Sequence, residues 1–287
     1  MTPHLSPERI AEIRAQMREL TAHATLRLHL GSRLGGGHFG SASGSSTEYL
    51  DHRPYAPGDD PRHLDWSAFA RTGHHTLNLY QEEVRPMVDL ALDSSASMRL
   101  TPSKQTRAAE LLFFVIESSL RNGASLRIHS LDTPEQEPVS DEPYERCLNA
   151  RTESPAPPRS EPIPWRTRSS RIVVSDLLFA VDPLDLLARW SSGAHQVVIL
   201  APFSSREAAP DWKSNVRLKD VETGDGADRR FSPSDLERYR NAYETHFENW
   251  QYAAASRGAV FARIPDESSL QKILTQPSPL TELIDFK

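Results

Sequence analysis

Apolar residues recur along the chain at two spacings, and the spacing decides the element. Ile10, Ile13, Met17 and Leu20 repeat every three or four positions, the period of one helix face. Just ahead of them, Ser6-Pro7-Glu8 supplies an N-cap, a proline at the first helical position and an acidic first turn. A helix is predicted there, and its narrow stripe implies docking on something larger. Ala108, Leu111, Leu112, Val115 and Ile116 make a wider stripe and predict a helix over 103–121, closed by Asn122-Gly123. Further helices are predicted over 183–190, over 232–256 with Ser232 as cap, and over 267–275. Residues 88–92, 172–174 and 196–200 are short, nearly continuous apolar runs, as in strands buried on both faces. Residues 76–80 and 126–131 alternate, and 216–218 and 260–262 are shorter strand candidates.

From residue 84 onward, strands and helices take turns. That rhythm predicts an α/β fold, a mostly parallel sheet with helices on both faces. The expected division is 1–83, an N-terminal helix and wrapping segment packed on the core, and 84–287, the α/β domain. The 31–46 stretch is rich in Gly and Ser and reads as a surface connector. Residues 133–165 hold eight of the chain's 22 prolines and read as a long irregular connection.

Composition narrows the chemistry. The 287 residues carry 33 basic and 39 acidic side chains, a net charge of −6, which argues against a coat for nucleic acid. The single cysteine, Cys147, excludes an internal disulfide. No apolar run approaches the roughly 20 residues of a spanning helix, and the N-terminus has no signal-peptide pattern, so a soluble cytoplasmic protein without membrane insertion is expected. Five of the basic residues are lysine and 28 are arginine, a bias that reads as codon usage or as a supply of bidentate partners for carboxylates. Nucleophile-elbow, P-loop, dinucleotide and zinc-ligand spacings are absent from the sequence.

Candidate chemistry gathers at the end of the first core strand. Asp93, Ser95 and Ser97 follow the apolar run at i, i+2 and i+4 in Asp93-Ser94-Ser95-Ala96-Ser97-Met98. One carboxylate and two hydroxyls are hard oxygen ligands suited to Mg²⁺ or Mn²⁺. Ligands of open α/β sheets bind outside the carboxyl ends of strands, and Val173-Val174-Ser175-Asp176 ends another core strand on that edge. The same loop could instead cap the following helix and bind no metal. The combination resembles the von Willebrand factor A fold with its metal-ion-dependent adhesion site. By that resemblance Asp93, Ser95 and Ser97 ligate the ion and Asp176 stands nearby, often through water. The family's threonine would fall in the proline-rich connection, with Thr152 and Thr167 as candidates.

A second constellation runs from Arg53 to Thr72. Pro57-Gly58-Asp59-Asp60-Pro61 is a tight turn whose carboxylates face Arg53, Arg62 and Arg71, with Tyr55 and Trp66 as anchors. It reads as a latch held by ion pairs, or as acid/base groups Asp59, Asp60 and Asp65. With Tyr80-Gln81-Glu82-Glu83, the 93–98 loop and Lys219-Asp220-Val221-Glu222-Thr223-Gly224, this stretch resembles the domain of unknown function 58 family over about residues 30–275. Many members of that family carry two membrane helices ahead of this region, and this chain reads as a short form without them. The resemblance implies a non-enzymatic adaptor that works with a MoxR-type AAA+ ATPase on a client protein, through Mg or Mn and a partner carboxylate. The alternative is a Mg-dependent hydrolase using Asp93 and Asp176 with Asp59 or Asp60.

Overall fold

The computed structural model describes residues 5–28, 47–57, 59, 61–82, 85–131, 162–212, 215–219 and 226–286. The Gly/Ser stretch, most of the proline-rich connection, Cys147, Thr152, Gly58, Asp60 and residues 220–225 lie outside them. The chain forms two compact units, Met1–His29 with Pro86–Lys287, and Leu30–Arg85. The N-terminal helix therefore groups with the α/β domain, whereas an expected division at 83 grouped it with the Pro-Gly-Asp-Asp segment.

In the larger unit, α1 (Pro7–Leu20) starts where Ser6 Oγ accepts the Arg9 N–H at 3.3 Å. It buries Ile10, Ile13 and Met17 against the unit's core, and Arg14 bonds the buried Glu117 of α3 (Pro102–Arg121) at 2.9 Å. Strands β4 (Met87–Leu92), β5 (Ser125–Ser130), β6 (Ser170–Val174), β7 (Gln196–Phe203) and β10 (Val260–Pro265) form one parallel sheet in the order β10-β7-β6-β4-β5. Helices α4 (Pro183–Ser191), α6 (Pro233–Ser256) and α7 (Leu270–Leu274) complete the alternation, with a single turn α5 (Ser205–Ala208) after β7.

Because strand side chains alternate, each core strand feeds two hydrophobic layers. Leu90, Leu92, Ile172, Val174, Val198 and Leu200 face α1, α3 and α7 in one layer. Ala91, Val173, Val197 and Ile199 face α4 and α6 in the other, where Trp190 stacks on Trp250 at 6.1 Å. This is the mixed α/β, Rossmann-like arrangement that the alternating pattern predicts, with helices covering both faces of a five-stranded parallel sheet.

Asp89 is the polar exception inside β4. Its carboxylate accepts the Arg166 N–H and Nε–H, each at 2.7 Å, and the Ser169 hydroxyl at 2.7 Å. These bonds tie the segment entering β6 to β4. The last helix is shorter than the predicted 267–275, because Ser269 is its N-cap and its side chain accepts the Lys272 N–H. Two small antiparallel pairs were not predicted as pairs: β1 (Ala24–Leu26) with β11 (Ile284–Phe286), and β8 (Asn215–Lys219) with β9 (Gly226–Arg230).

In the smaller unit, β2 (Thr47–Pro54) pairs antiparallel with β3 (Thr76–Glu82) across a register shift between Tyr49 and Asp51. Between them lies α2 (Trp66–Thr72), whose N-cap Asp65 accepts the Ala68 N–H at 2.9 Å. Gly73, at φ 72°, takes the left-handed conformation that ends the helix and sends its N–H to Phe69 O.

Candidate functional site

The chain leaves β4 for β5 on one side, then crosses to β6 on the other. The carboxyl ends of β4 and β6 are thus the topological switch point, where open α/β sheets bind ligands. Asp93 stands there. Its N–H continues the ladder to Val174 O at 2.9 Å, so backbone pairing fixes the origin of its side chain. Oδ1 accepts the Ser95 N–H at 2.9 Å, a side-chain turn typical of aspartate, and Oδ2 accepts the Ser175 hydroxyl at 2.5 Å. Ser95 Oγ and Ser97 Oγ lie 3.0 Å apart. Asp93, Ser94 and Ser95 are buried, and Ser97 is half-buried.

The helix after this loop is capped by Thr101, whose hydroxyl accepts the Lys104 N–H at 3.1 Å. Asp93 holds the N–H of its own turn, so the capping role proposed for it in the sequence falls to Thr101. Octahedral Mg²⁺ takes oxygens at about 2.1 Å, which separates neighbouring ligands by about 3 Å. The spacing of the two serine hydroxyls matches that separation, and the donor set of carboxylate and hydroxyls is hard oxygen throughout. The donor type thus suits a small divalent cation, and the 3.0 Å separation is at the same time that of a hydrogen bond between the two hydroxyls.

Asp176 has a different neighbour. Its Oδ2 accepts from Lys104 Nζ at 2.8 Å, and its Oδ1 accepts the Leu178 N–H at 3.2 Å. Lys104 is 0% exposed, and its ammonium also donates to Glu207 Oε1 at 2.6 Å. Glu207 is fixed in turn: its Oε2 accepts the Ser204 N–H at 3.1 Å as half of a capping box. Burial alone would lower the Lys104 ammonium, but Asp176 and Glu207 outweigh it and hold the group above its ordinary value. The backbone beside this pair is strained. Leu177 is fully buried at φ 59°, a left-handed conformation that costs a bulky L-residue about 1 kcal/mol. Ser175 Oγ, accepting the Leu177 N–H, and His246, bonded to Leu177 O at 2.9 Å, hold it there. The turn aims the Asp176 N–H at Met98 Sδ, 3.2 Å away, and so stitches the two loops together.

Thr167 precedes β6, at the opposite edge of the sheet from Asp93, so a five-residue strand of roughly 17 Å separates it from the loop. Among the described residues, no group of three or more His, Cys, Asp or Glu is arranged to hold a metal. Any ion here would rely on hydroxyls beside Asp93.

Sequence reasoning passed over Lys104, Ser175 and Glu207. A signal for Lys104 was present: Ala108, Leu111 and Leu112, at i+4, i+7 and i+8 from it, form the buried stripe of its own helix. A lysine in the first turn also opposes the helix dipole unless carboxylates meet it.

In the smaller unit, Arg53 forks onto Asp59 with bonds of 2.9 and 2.6 Å. The Arg53 hydrogen bonds and the Ala56 N–H lower the Asp59 carboxyl. Arg71 Nε donates to Ser67 O at 3.3 Å on its own helix, Asp65 caps that helix, and Arg62 is exposed. Phe69 stacks on His75 at 4.4 Å, with Trp66 edge-on to Phe69 and Tyr55 edge-on to His75. Trp66 is 62% exposed.

Fold and site together define an α/β protein of Rossmann-like build with an oxygen-rich loop at its switch point. The family described as "Protein of unknown function DUF58" matches residues 51–139, from the Arg53–Asp59 pair through the Asp93 loop and α3. Uncharacterized proteins of Mycobacterium tuberculosis and Mycobacterium bovis are 24% identical over 247 residues, covering 79% of this chain and 77% of theirs. An aerotolerance-related membrane protein from Bacteroides fragilis aligns with 69% of this chain and 99% of its own, at 19% identity and a TM-score of 0.34. Conserved hypothetical protein BatB from Bacteroides thetaiotaomicron aligns with 69% of this chain and 98% of its own, at 15% identity and a TM-score of 0.33. Among the described residues, no helix is long and apolar enough to cross a membrane.

Proposed function

We propose that this protein is a cytoplasmic, non-enzymatic binding adaptor of von Willebrand factor A-like type. Asp93, Ser95 and Ser97 would hold Mg²⁺ or Mn²⁺, and a carboxylate of the partner would complete the coordination. A bound divalent ion supplies a compact positive attachment point for an outside carboxylate. The observation that carries the reading is the pair of serine hydroxyls 3.0 Å apart beside Asp93 at the switch point. The chain's own part is positional. Ser175 and the Ser95 N–H orient the Asp93 carboxylate, and the ladder bond to Val174 sets its height on the sheet edge. The partner we propose is a MoxR-type AAA+ ATPase acting on a client protein, in keeping with the resemblance carried by the Arg53–Asp59 and Asp93–Met98 motifs.

A hydrolase reading is less well supported. A general base needs a carboxylate free to take a proton, and Asp176 is committed to a buried ammonium. The test is affinity capture from the native cell with wild type and Asp93→Ala, each with Mg²⁺ and with excess chelator. Expected is loss of an AAA+ ATPase from the capture in Asp93→Ala and in chelator, with thermal melts that stay cooperative. Equal capture in all arms refutes the metal bridge.

A further inference from the structure

The buried cluster of Lys104, Asp176 and Glu207 lies beside the loop and has no role in the reading so far. Asp176 follows Ser175, and Ser175 touches Asp93, so its carboxylate starts one residue from the oxygen cluster. A second carboxylate so placed would ordinarily be counted as a ligand of any cation there. The side chain is turned elsewhere. One of its oxygens is on Lys104 Nζ at 2.8 Å, and the other receives the Leu178 N–H at 3.2 Å.

We propose that Lys104 is an internal counter-cation that withholds Asp176 from a divalent ion at Asp93, Ser95 and Ser97. The ion then has one carboxylate from this chain and takes its next anionic ligand from a partner. This inference rests on the loop being the cation site proposed above.

Three features of the ammonium carry the argument. It is 0% exposed, so water cannot replace Asp176 if the carboxylate swings away. Its second partner, Glu207, cannot follow, because the capping box on Ser204 pins it. Its own origin is equally fixed, since Lys104 lies in the first turn of α3, where Thr101 receives its N–H and Thr101 and Ser103 both bond Asp266 beyond β10. A lysine suits this place better than the arginine that predominates in the chain. A compact ammonium sits as a point charge between two carboxylates, where a planar fork would need a wider cavity. Lys104 is a positioning residue in this scheme and touches no ligand itself.

The experiment measures Mn²⁺ affinity of the full chain by the loss of the free-ion resonance signal, with Mg²⁺ as competitor. Asp176→Asn keeps an acceptor for Lys104 and removes the charge. Expected is a Kd within about twofold of wild type, because Asp176 is not a ligand. Lys104→Met with Glu207→Gln removes the ammonium and one carboxylate and leaves Asp176 without its counter-cation. Expected is a Kd at least about tenfold lower, with the gain abolished on adding Asp176→Asn. A tenfold weakening in Asp176→Asn alone overturns the inference, because Asp176 then already ligates. No gain in a double variant that still melts cooperatively overturns it too. If the double variant does not fold, the Asp176→Asn arm decides alone. Binding that is lost in Asp93→Ala while Asp176→Asn also weakens it defeats only this inference. Binding that is absent, or indifferent to Asp93→Ala, defeats the cation site and the inference together.

Discussion

Asp89 occupies the middle of β4 with no exposed surface, flanked by Arg166 Nε at 2.7 Å and by His129 Nε2 at 3.9 Å, the latter beyond hydrogen-bond reach. Burial alone would raise its carboxyl. The Ser169 hydroxyl, the Arg166 N–H and the Arg166 guanidinium together hold it well below the ordinary carboxylate range. A depressed carboxyl contributes stability above its unfolded value, near pH 4, and that contribution fades as the pH falls through the folded value. Asp89→Asn should therefore cost about 3–5 kcal/mol at pH 7, because Arg166 is left without its buried partner. The gap to wild type should narrow steadily below about pH 5. Urea unfolding at several pH values measures both, and a constant gap would show that the carboxylate's charge is not what stabilises β4. Residues such as Asp89 and Lys104 were the least legible in the sequence. Asp93 announces itself through the serines that follow at fixed spacing. Lys104 is defined by Asp176 and Glu207, which are 72 and 103 positions away and carry no local mark of the pairing.

At the scale of elements, legibility followed the strength of the local pattern. The nearly continuous apolar runs of β4, β6 and β7 and the stripes of α1, α3 and α6 are visible without any partner, because a strand buried on both faces or a helix face needs those residues wherever it packs. Strand β2, Thr-Glu-Tyr-Leu-Asp-His-Arg-Pro, and strand β9, Gly-Ala-Asp-Arg-Arg, have no such run and exist by pairing with a neighbour. The three-residue β1 is paired with β11 at the far end of the chain, which no window of sequence could reveal. The narrow stripe of α1 correctly implied a docked helix. Ile13 is its fully buried residue, so Ile13→Ala should destabilise by about 2–5 kcal/mol in chemical denaturation. A change under 0.5 kcal/mol, within the usual span of surface substitutions, would mean that α1 is dispensable to the core.

At the scale of the molecule, the five-stranded sheet and the β2–β3 hairpin differ in how they can open. Amides of β4, β6 and β7 are covered by helices on both faces and are released only by global unfolding. A two-stranded ribbon is marginal on its own. Hydrogen exchange should find β2 and β3 amides exchanging at least about 100-fold faster than those of β6. Equal protection would show that the smaller unit unfolds only together with the larger.

The position of Asp93 has a mechanical consequence. The residue continues β4, and β4 is hydrogen-bonded along its length to both β5 and β6. A pull on Asp93 in line with the strand loads both ladders in shear, so many bonds share the force and must fail at once. A handle on an edge strand would load a single ladder, and one pulled sideways would unzip bond by bond. The oxygen-rich loop thus sits at the end of a strand that resists tension through two ladders.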